Sequence, residues 1–192
     1  LPILGVIRGV GMASDGKGRS LWAPRMEGQV LALQRAYADD EPLDIDYIEA
    51  HATSTQLGDA TELETLRRLA GNHKTRTGSR QLLIGSVKSN IGHTLEAAGL
   101  IGLVKVLIAM QRREIPPSLR YEQPNRNYDW ATGPVRVVSG RETWPEHALH
   151  LRPRRAAVSA FGIGGLNAHV AVEEPGAGVS ASATQTPSSP LA

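Results

Sequence analysis

The 192-residue sequence contains no cysteine, so it forms no disulfide bond, and this argues against a small secreted scaffold held together by such bonds. It also lacks a long apolar run. The longest, from Leu100 to Met110, is interrupted by Lys105 and is well below the ~20 residues that a membrane span needs. The apolar residues at 1–10 have no basic leading segment and include Arg8, which is typical of a strand and not of a signal peptide. We therefore expect a cytoplasmic protein with no membrane partner.

Neither sign of charge is in large excess: 21 basic and 19 acidic side chains give a formal net charge of +2. The basic residues form only short groups, at 112–113 and 152–155, and no aromatic residues interleave with them. Because nucleic-acid surfaces need larger basic patches, we expect no nucleic-acid partner. The composition, 41% hydrophobic and 21% charged, is that of a globular domain. At 192 residues the chain is expected to be one domain or one large half of a bigger one, and it begins in mid-pattern, as if cut from a longer polypeptide.

Strand-like and helix-like segments alternate along the chain, which predicts an α/β layered fold. The segment at 115–128 contains three prolines and should be irregular, and the residues at 176–192 are typical of a flexible linker. The helix expected at 94–112 is apolar nearly all round and should be buried on several sides. The pattern predicts strands at 3–10, 44–50, 82–87, 135–138, 156–159 and 168–172, and further helices at 26–37 and 59–70, the latter capped by Asp59.

Two polar stretches follow predicted strands, where α/β folds usually bind ligands. In EAHATSTQLGD, His51 stands between a strand and a helix. In GSVKSNIGHTLEAAG, Lys88 precedes His93 by five residues and can hold a carboxylate or an imidazole, fixing the tautomer of the histidine. Taken singly, each histidine also fits a residue that is only hydrogen-bonded within its loop.

A third stretch, SAFGIGGLNAH, contains Gly162, Gly164 and Gly165, which allow unusual backbone angles and the close approach of a ligand. It is a weak candidate for a phosphate loop, because no helical pattern follows it. Two histidines after strands and one glycine loop together favour a functional site.

These three stretches resemble the C-terminal motifs of β-ketoacyl synthases, members of the thiolase superfamily. The HATST and LGD motifs, KSNIGH and FGIGGLNAH occur in the same order as in ketosynthase domains of modular polyketide synthases, and the resemblance spans 1–175. It implies the C-terminal half of a five-layer αβαβα sandwich, with a mixed five-stranded sheet and flanking helices. The nucleophilic cysteine of the family lies in the N-terminal half, which this sequence does not contain.

The resemblance implies catalytic roles for His51, His93 and Lys88. The two histidines would donate N–H groups to the thioester carbonyl of a malonyl unit and stabilise the enolate that decarboxylation leaves. His93 would also support the cysteine thiolate, and Lys88 would orient the pair.

It also implies substrate-binding positions. The hydroxyls of Thr53 and Thr55 would bind the phosphopantetheine arm of an acyl carrier protein, which carries the substrate, so no cofactor is expected to be bound directly. The backbone N–H of Ile163, in the stretch that includes Phe161, Gly162 and Gly164, would complete a second oxyanion hole for the acyl-cysteine carbonyl.

Three residues depart from the family pattern. Ala52 replaces a glycine between His51 and Thr53, and Leu166 replaces a threonine next to the glycine loop. Ile163 stands where many fatty-acid enzymes have a gating phenylalanine, which agrees with the polyketide branch. None of these changes removes a catalytic side chain.

A metal site is not expected. Glu146, His147 and His150 form a cluster of potential ligands, but their loop setting favours a solvated surface, and no second cluster accompanies them. His73 lies in a basic turn and is given no role.

Two functions remain open. The first is decarboxylative Claisen condensation between an acyl chain on the missing cysteine and a carrier-bound malonyl unit. The second is a non-elongating module, similar to a chain-length factor, that binds acyl carrier protein. For either, the resemblance implies the N-terminal ketosynthase half as a partner, the acyl carrier protein, and a homodimer of whole ketosynthases.

Overall fold

The computed structural model describes residues 2–17, 23–37, 45–72, 81–145 and 152–176. In these ranges strands and helices alternate, as the sequence pattern predicts. The helices are α1 (Met26–Ala36), α2 (Gln56–Asn72), α3 (Lys88–Ile91) and α4 (Ala98–Arg112), with one 3₁₀ turn at Leu95–Ala97. The strands are β1 (Val6–Ser14), β2 (Tyr47–Glu49), β3 (Leu82–Gly85), β4 (Glu114–Ile115), β5 (Val135–Val137), β6 (Glu142–Thr143), β7 (Arg155–Phe161) and β8 (Leu166–Glu173).

The main sheet has the order β1-β8-β7-β2-β3-β5. Strands β2, β3, β5 and β7 are parallel, and β8 runs antiparallel to both of its neighbours. The expected α/β class, a mixed sheet with flanking helices, is confirmed, but the sheet has six strands among the described residues instead of five. The count of five came from the family resemblance, whereas the sequence pattern itself predicts six strands. The edge strand β5 corresponds to the one predicted at 135–138, and its Val135 pairs with Leu82.

Two apolar cores lie on opposite faces of this sheet. Tyr47 of β2 packs with Val106 and Met110 of α4 on one face. The next residue, Ile48, packs on the other face with Leu63 and Leu66 of α2 and with Leu33 of α1. Because side chains alternate across a strand, β2 contributes to both cores, and the chain forms three layers.

The first strand differs from the prediction at both ends. A strand was predicted at 3–10, with Gly11 beginning a turn, but β1 continues to Ser14 and pairs with β8 along its length. A methyl group at Gly9 would lie 1.8 Å from the carbonyl oxygen of Ala36, and one at Gly11 would lie 1.8 Å from that of Ala32. These glycines therefore let α1 approach the strand closely, and they do not form a turn.

Other departures are local. Helix α2 begins three residues before Asp59, so Asp59 lies in its first turn and accepts a hydrogen bond from the backbone N–H of Ser54 at 3.2 Å. The short helix α3 and the β4–β6 pair were not predicted, because segments of two to four residues carry too few positions to show a period. The start of the strand predicted at 44–50 and the linker from 177 onward lie outside the described residues.

Helix α4 leaves one apolar face uncovered. Its buried residues, including Ala98, Gly102 and Val106, lie towards the sheet. On its other side Leu100 is 68% exposed, and Val104 and Ile108 are each 51% exposed. Among the described residues, the cover expected on several sides is therefore present on one side only.

Over the ranges that the structure describes, no helix is long and apolar enough to cross a bilayer.

Candidate active site

The ring of His51 lies just past the end of β2 and contacts two other predicted site residues. Its centroid is 5.8 Å from that of His93, with the rings nearly perpendicular, and 5.5 Å from that of Phe161 at the end of β7. Because β2 and β7 are parallel neighbours, their carboxyl ends meet at one edge of the sheet. The three stretches that the sequence singles out therefore converge there.

The backbone after β2 is held by a carboxylate that the sequence analysis did not assign to the site. The two oxygens of Glu62, on α2, accept hydrogen bonds from the backbone N–H groups of His51 and Ala52, each at 2.8 Å. Ala52 has φ 34° and Ser54 has φ 63°, both in the left-handed region that non-glycine residues rarely occupy. Glu62 thus holds a strained turn, and the alanine that replaces the family glycine carries part of that strain.

We expect Ala52→Gly to raise the free energy of unfolding by up to about 1.5 kcal/mol. Glycine removes ~1–2 kcal/mol of left-handed strain and costs ~0.5–1 kcal/mol through the greater freedom of the unfolded chain. Urea denaturation of a complete ketosynthase that contains this chain would measure it. Ala50→Gly, two residues earlier at a position without positive φ, is the matched control and should destabilise. Equal losses from both changes would show that position 52 is not strained.

His93 presents one defined tautomer. Its Nδ1 accepts a hydrogen bond from the backbone N–H of Leu95 at 3.0 Å, and Leu95 itself has φ 51°. A neutral imidazole that accepts at Nδ1 carries its proton on Nε2. The free Nε2–H of His93 is therefore available to a ligand.

The electrostatic environment keeps His51 neutral at physiological pH. Burial lowers the pKa of His51 to about 4, with smaller contributions from the charge of Lys88 and from His93. Its Nδ1 is buried and has no hydrogen-bond partner among the described residues. An uncharged imidazole can still donate an N–H group, so His51 is suited to binding an oxyanion and not to acting as a cation.

Lys88 and Glu62 form the charged part of the site. Burial lowers the pKa of Lys88, while Glu49 and Glu62 raise it. Burial raises the pKa of Glu62 to about 7, although its two backbone donors and the charge of Lys88 lower it. The charge of Lys88 and those of Glu49 and Glu62 therefore stabilise one another in a site that is largely shielded from water.

A cavity of about 480 Å³ adjoins these groups. Thr53, Lys88, His93 and Glu62 line it, and residues of the proline-containing segment, among them Arg120, close another side. Such a volume is typical of a small-molecule site. His51, Thr55 and residues 161–165 do not line this cavity. The ring of His51 lies between the cavity residue His93 and Phe161 and contacts both.

Thr53 and Thr55 do not lie on an extended segment, since Ser54 between them is left-handed. Their hydroxyls nevertheless both lie beside Gly58, near the start of α2. A methyl group at Gly58 would lie 2.3 Å from Oγ1 of Thr55 and 3.8 Å from Oγ1 of Thr53. The turn and the absence of a side chain at Gly58 leave both hydroxyls on one side of the start of α2.

The glycine loop forms the tight hairpin between β7 and β8. Gly164 and Gly165 have φ 93° and 82°, which a side chain would oppose. The backbone N–H of Asp15 donates to the carbonyl of Gly165 at 2.8 Å, and Asn167 Nδ2 donates to Asp15 Oδ1 at 2.7 Å. These bonds fix the hairpin against the end of β1. Leu166 and Ile163, two of the departures from the family pattern, are exposed in or next to it.

No metal centre forms among the described residues, where no three potential ligands cluster. Glu146, His147 and His150 lie outside those residues, so their solvated setting stays a prediction.

The sequence analysis missed three charged residues around the site: Glu62, Glu49 and Lys105. Two of them carried a signal. Lys105 is the one charge between Leu100 and Met110, and such a position is costly unless the charge is paired. Glu49 carried none, because Asp44 and Asp46 belong to the same predicted strand. Glu62 lies one helical turn after Asp59, on the same side of α2.

The mixed sheet, with helices packed on both of its faces, is a thiolase-like α/β fold. Residues 4–122 match the family described as Beta-ketoacyl synthase, C-terminal domain, and the chain belongs to this family. Within the family, its relatives include polyketide synthases. The chain is 44% identical over 175 residues to polyketide synthase GfsA of Streptomyces halstedii, covering 90% of this chain and 2% of that protein. Against erythronolide synthase EryA2 of Saccharopolyspora erythraea it is 44% identical over 174 residues, covering 90% and 5%.

Solved structures agree. Ketosynthase twelve of the bacillaene polyketide synthase from Bacillus amyloliquefaciens superposes with a TM-score of 0.81 at 39% identity, over 90% of this chain and 30% of that one. The structure described as PfaC Keto synthase-Chain length factor superposes with a TM-score of 0.77 at 37% identity, over 90% and 18%. The chain thus spans less than a third of each of these proteins, and its resemblance to ketosynthases is confirmed.

Proposed function

We propose that this chain supplies the two catalytic histidines of a polyketide ketosynthase, while an N-terminal half supplies the nucleophilic cysteine. The reaction is decarboxylative Claisen condensation of a cysteine-bound acyl chain with malonyl on an acyl carrier protein. The proposal rests above all on the juxtaposition of His51, His93 and Phe161 at one edge of the sheet. Lys88 lines the adjoining cavity together with His93.

In the first step the bond between the malonyl α-carbon and its carboxylate breaks, carbon dioxide leaves, and the electron pair forms an enolate. The oxyanion lies on the thioester carbonyl. His51 and His93 donate N–H groups to this oxygen. Their stabilisation of the oxyanion is strongest because the donors are already in place before the charge develops. The hydrogen bond from Leu95 to Nδ1 of His93 supports this assignment, because it leaves the Nε2 proton for the substrate.

In the second step the enolate carbon attacks the acyl carbonyl, a carbon–carbon bond forms, and the cysteine leaves as a thiolate. The backbone N–H of Ile163 stabilises the tetrahedral oxyanion of this step. The fixed hairpin of Gly162, Gly164 and Gly165 supports that role, since a preorganised donor loses little on binding. Phe161 links the hairpin to His51.

The substrates arrive on the phosphopantetheine arm of a carrier protein. Thr53 and Thr55 bind the arm through their hydroxyls, which both lie beside Gly58. The chain itself binds no cofactor, and the whole ketosynthase acts as a homodimer. This part of the proposal is supported by the polyketide synthase relatives.

A second candidate is a non-elongating module that binds carrier protein without forming a bond. The likeness to a structure that contains a chain-length factor favours it. Retention of His51, His93 and Lys88 favours condensation, since a scaffold has no physical need for them. The elbow residue of the N-terminal half discriminates: cysteine indicates condensation, whereas glutamine, serine or glycine indicates a decarboxylating or silent form.

Complementation tests the proposal. The chain alone should form no β-ketoacyl product from acyl and malonyl carrier substrates, because it has no cysteine. Adding the N-terminal half should restore product, and an N-terminal half with its cysteine changed to alanine is the matched control. Product from the lone chain, or none from the wild-type pair, would contradict the assignment.

A further inference from the structure

A buried carboxylate lies directly beneath the site. Glu49, the last residue of β2, has 2% of its side chain exposed, and its Oε2 is 2.7 Å from Nζ of Lys105, whose side chain is 8% exposed. The same oxygen accepts a hydrogen bond from the hydroxyl of Tyr47 at 2.8 Å, and Lys105 also donates to that hydroxyl at 2.7 Å. The other oxygen, Oε1, accepts from the backbone N–H of Val87.

These contacts connect the segments that carry the proposed catalytic groups. Glu49 precedes His51 by two residues, and Val87 immediately precedes Lys88. Lys105 lies on α4, the helix that follows the turn containing His93. One carboxylate is therefore bonded both to the start of the Lys88 segment and to α4, while its own strand leads into His51.

Helix α4 is shaped to accept this carboxylate. A methyl group at Gly102 would lie 3.0 Å from Cγ of Glu49 and 3.2 Å from Cγ1 of Val158. Gly102 thus allows the helix to approach β2, and Lys105 follows it by one turn on the same side. The ammonium group also lies 5.2 Å from the ring centroid of Tyr47.

Stability alone does not account for the pair. Replacing a buried ion pair by well-packed apolar residues is often neutral or stabilising, whereas removing one partner leaves an uncompensated buried charge. The rest of α4 is apolar up to its last turn, so an apolar residue would suit position 105. What an apolar pair would not supply is the acceptor for the N–H of Val87.

We propose that Glu49 and Lys105 form a positioning pair for the proposed reaction: the carboxylate, neutralised by the lysine, fixes the Lys88 segment relative to the end of β2 that leads to His51. The inference rests on the proposed function. Glu49 and Lys105 touch no substrate and act only through the segments that they hold. Lys105 also balances the negative charge of Glu49, which would otherwise raise the pKa of Lys88.

Two double variants in a complete ketosynthase that contains this chain test the proposal. Glu49→Gln with Lys105→Met removes both charges and keeps an acceptor for Val87. Glu49→Leu with Lys105→Met removes the charges and the acceptor. We expect both to fold, and we expect the leucine variant to decarboxylate malonyl carrier at least about tenfold more slowly than the glutamine variant, with an unchanged KM, since small misplacements of reacting groups cost up to about 10²-fold.

The matched control is Arg152→Met. Arg152 forms the other buried ion pair of this strand region, at 2.7 Å from Asp46, which immediately precedes β2 at the end away from His51. This change should lower the melting temperature without slowing decarboxylation. A leucine variant with the rate of the glutamine variant, or an equal loss of rate in Arg152→Met, would overturn the inference.

A measurement that needs no turnover separates this inference from the proposed function. In Lys105→Met the negative charge of Glu49 loses its lysine partner, so the pKa of Lys88 should rise. Arg152→Met should leave the pKa of Lys88 unchanged. Nitrogen NMR of the labelled amine measures this pKa. An inactive wild-type enzyme with this pattern would refute the proposed function and support the pair. Unaltered titration of Lys88 in Lys105→Met would refute the pair even in an active enzyme.

Discussion

Replacing His51 or His93 with alanine is expected to lower the rate of malonyl decarboxylation by about 10²–10³-fold in the complete ketosynthase. This is the usual loss when one preorganised oxyanion donor is removed. The rings lie 5.8 Å apart and nearly perpendicular, an arrangement in which two N–H groups can converge on one oxygen. Release of carbon dioxide from malonyl carrier measures this step separately from bond formation. The double alanine variant should lose less than the product of the two single losses, because the donors act as a unit.

His93 allows the catalytic role to be separated from the structural one. An asparagine at 93 can still accept from the N–H of Leu95, as Nδ1 does, but it places no donor where Nε2–H lies. A glutamine reaches further and supplies an N–H group near that position. We expect His93→Asn to be as slow as His93→Ala, and His93→Gln to be faster than both. Decarboxylation within about threefold of wild type in His51→Ala and His93→Ala would remove both residues from the mechanism.

Placing charged residues on the exposed apolar face of α4 is expected to weaken its association with the N-terminal half. Leu100 and Val104 are more than half exposed on that face, and burying each side chain contributes ~1.5–3 kcal/mol. Leu100→Asp with Val104→Asp should therefore weaken association by at least about 10²-fold, at ~1.4 kcal/mol for each factor of ten. Titration of the lone chain with the N-terminal half, followed by product formation or calorimetry, measures the change.

The same face should make the lone chain bind dyes that report exposed apolar surface. The aspartate variant should bind less dye, while Leu31→Asp, on α1 at the opposite side of the sheet, is the control and should change neither dye binding nor association. The wild-type chain should also fail to persist as a folded monomer. Leaving the apolar side chains of this face uncovered forgoes ~1.5–3 kcal/mol for each, and the total is comparable to a domain's net stability of ~5–15 kcal/mol. A cooperative, monomeric, dye-silent chain would show that α4 needs no cover.

Elements with long, regular patterns were predictable from the sequence. Helix α1 has apolar residues near one face, and the apolar run of α4 is too long for a strand, so both were recognised. The motifs placed His51 and His93 after strands. Strand β1 was predicted to end at Val10 because Gly11 and the Asp15-Gly16 pair have the composition of a turn. The role of Gly11 depends on its close approach to Ala32 of α1, a contact between elements that the local pattern does not contain.

The charged surroundings of the site were less predictable. Glu62 binds the backbone of His51 and Ala52 from a different element, and Glu49 reaches Val87 across the sheet. A lone charge in an apolar segment signals that a partner exists but does not identify it, because the partner is fixed by the packing of β2 against α4. The strain at Ala52 likewise depends on the turn that Glu62 holds.

The pairing of β1 with β8 has a consequence for biosynthesis. These strands lie near opposite ends of the described chain, and Val6 pairs with Glu173. At ~5–20 residues per second, a ribosome takes roughly 8–30 s to make the intervening residues. During that interval β1 has no strand partner in the sheet, although β2, β3 and the helices between them can already associate. An unpaired edge of this kind is prone to aggregation, so delays in translation late in this chain should lower the yield of folded protein more than delays early in it.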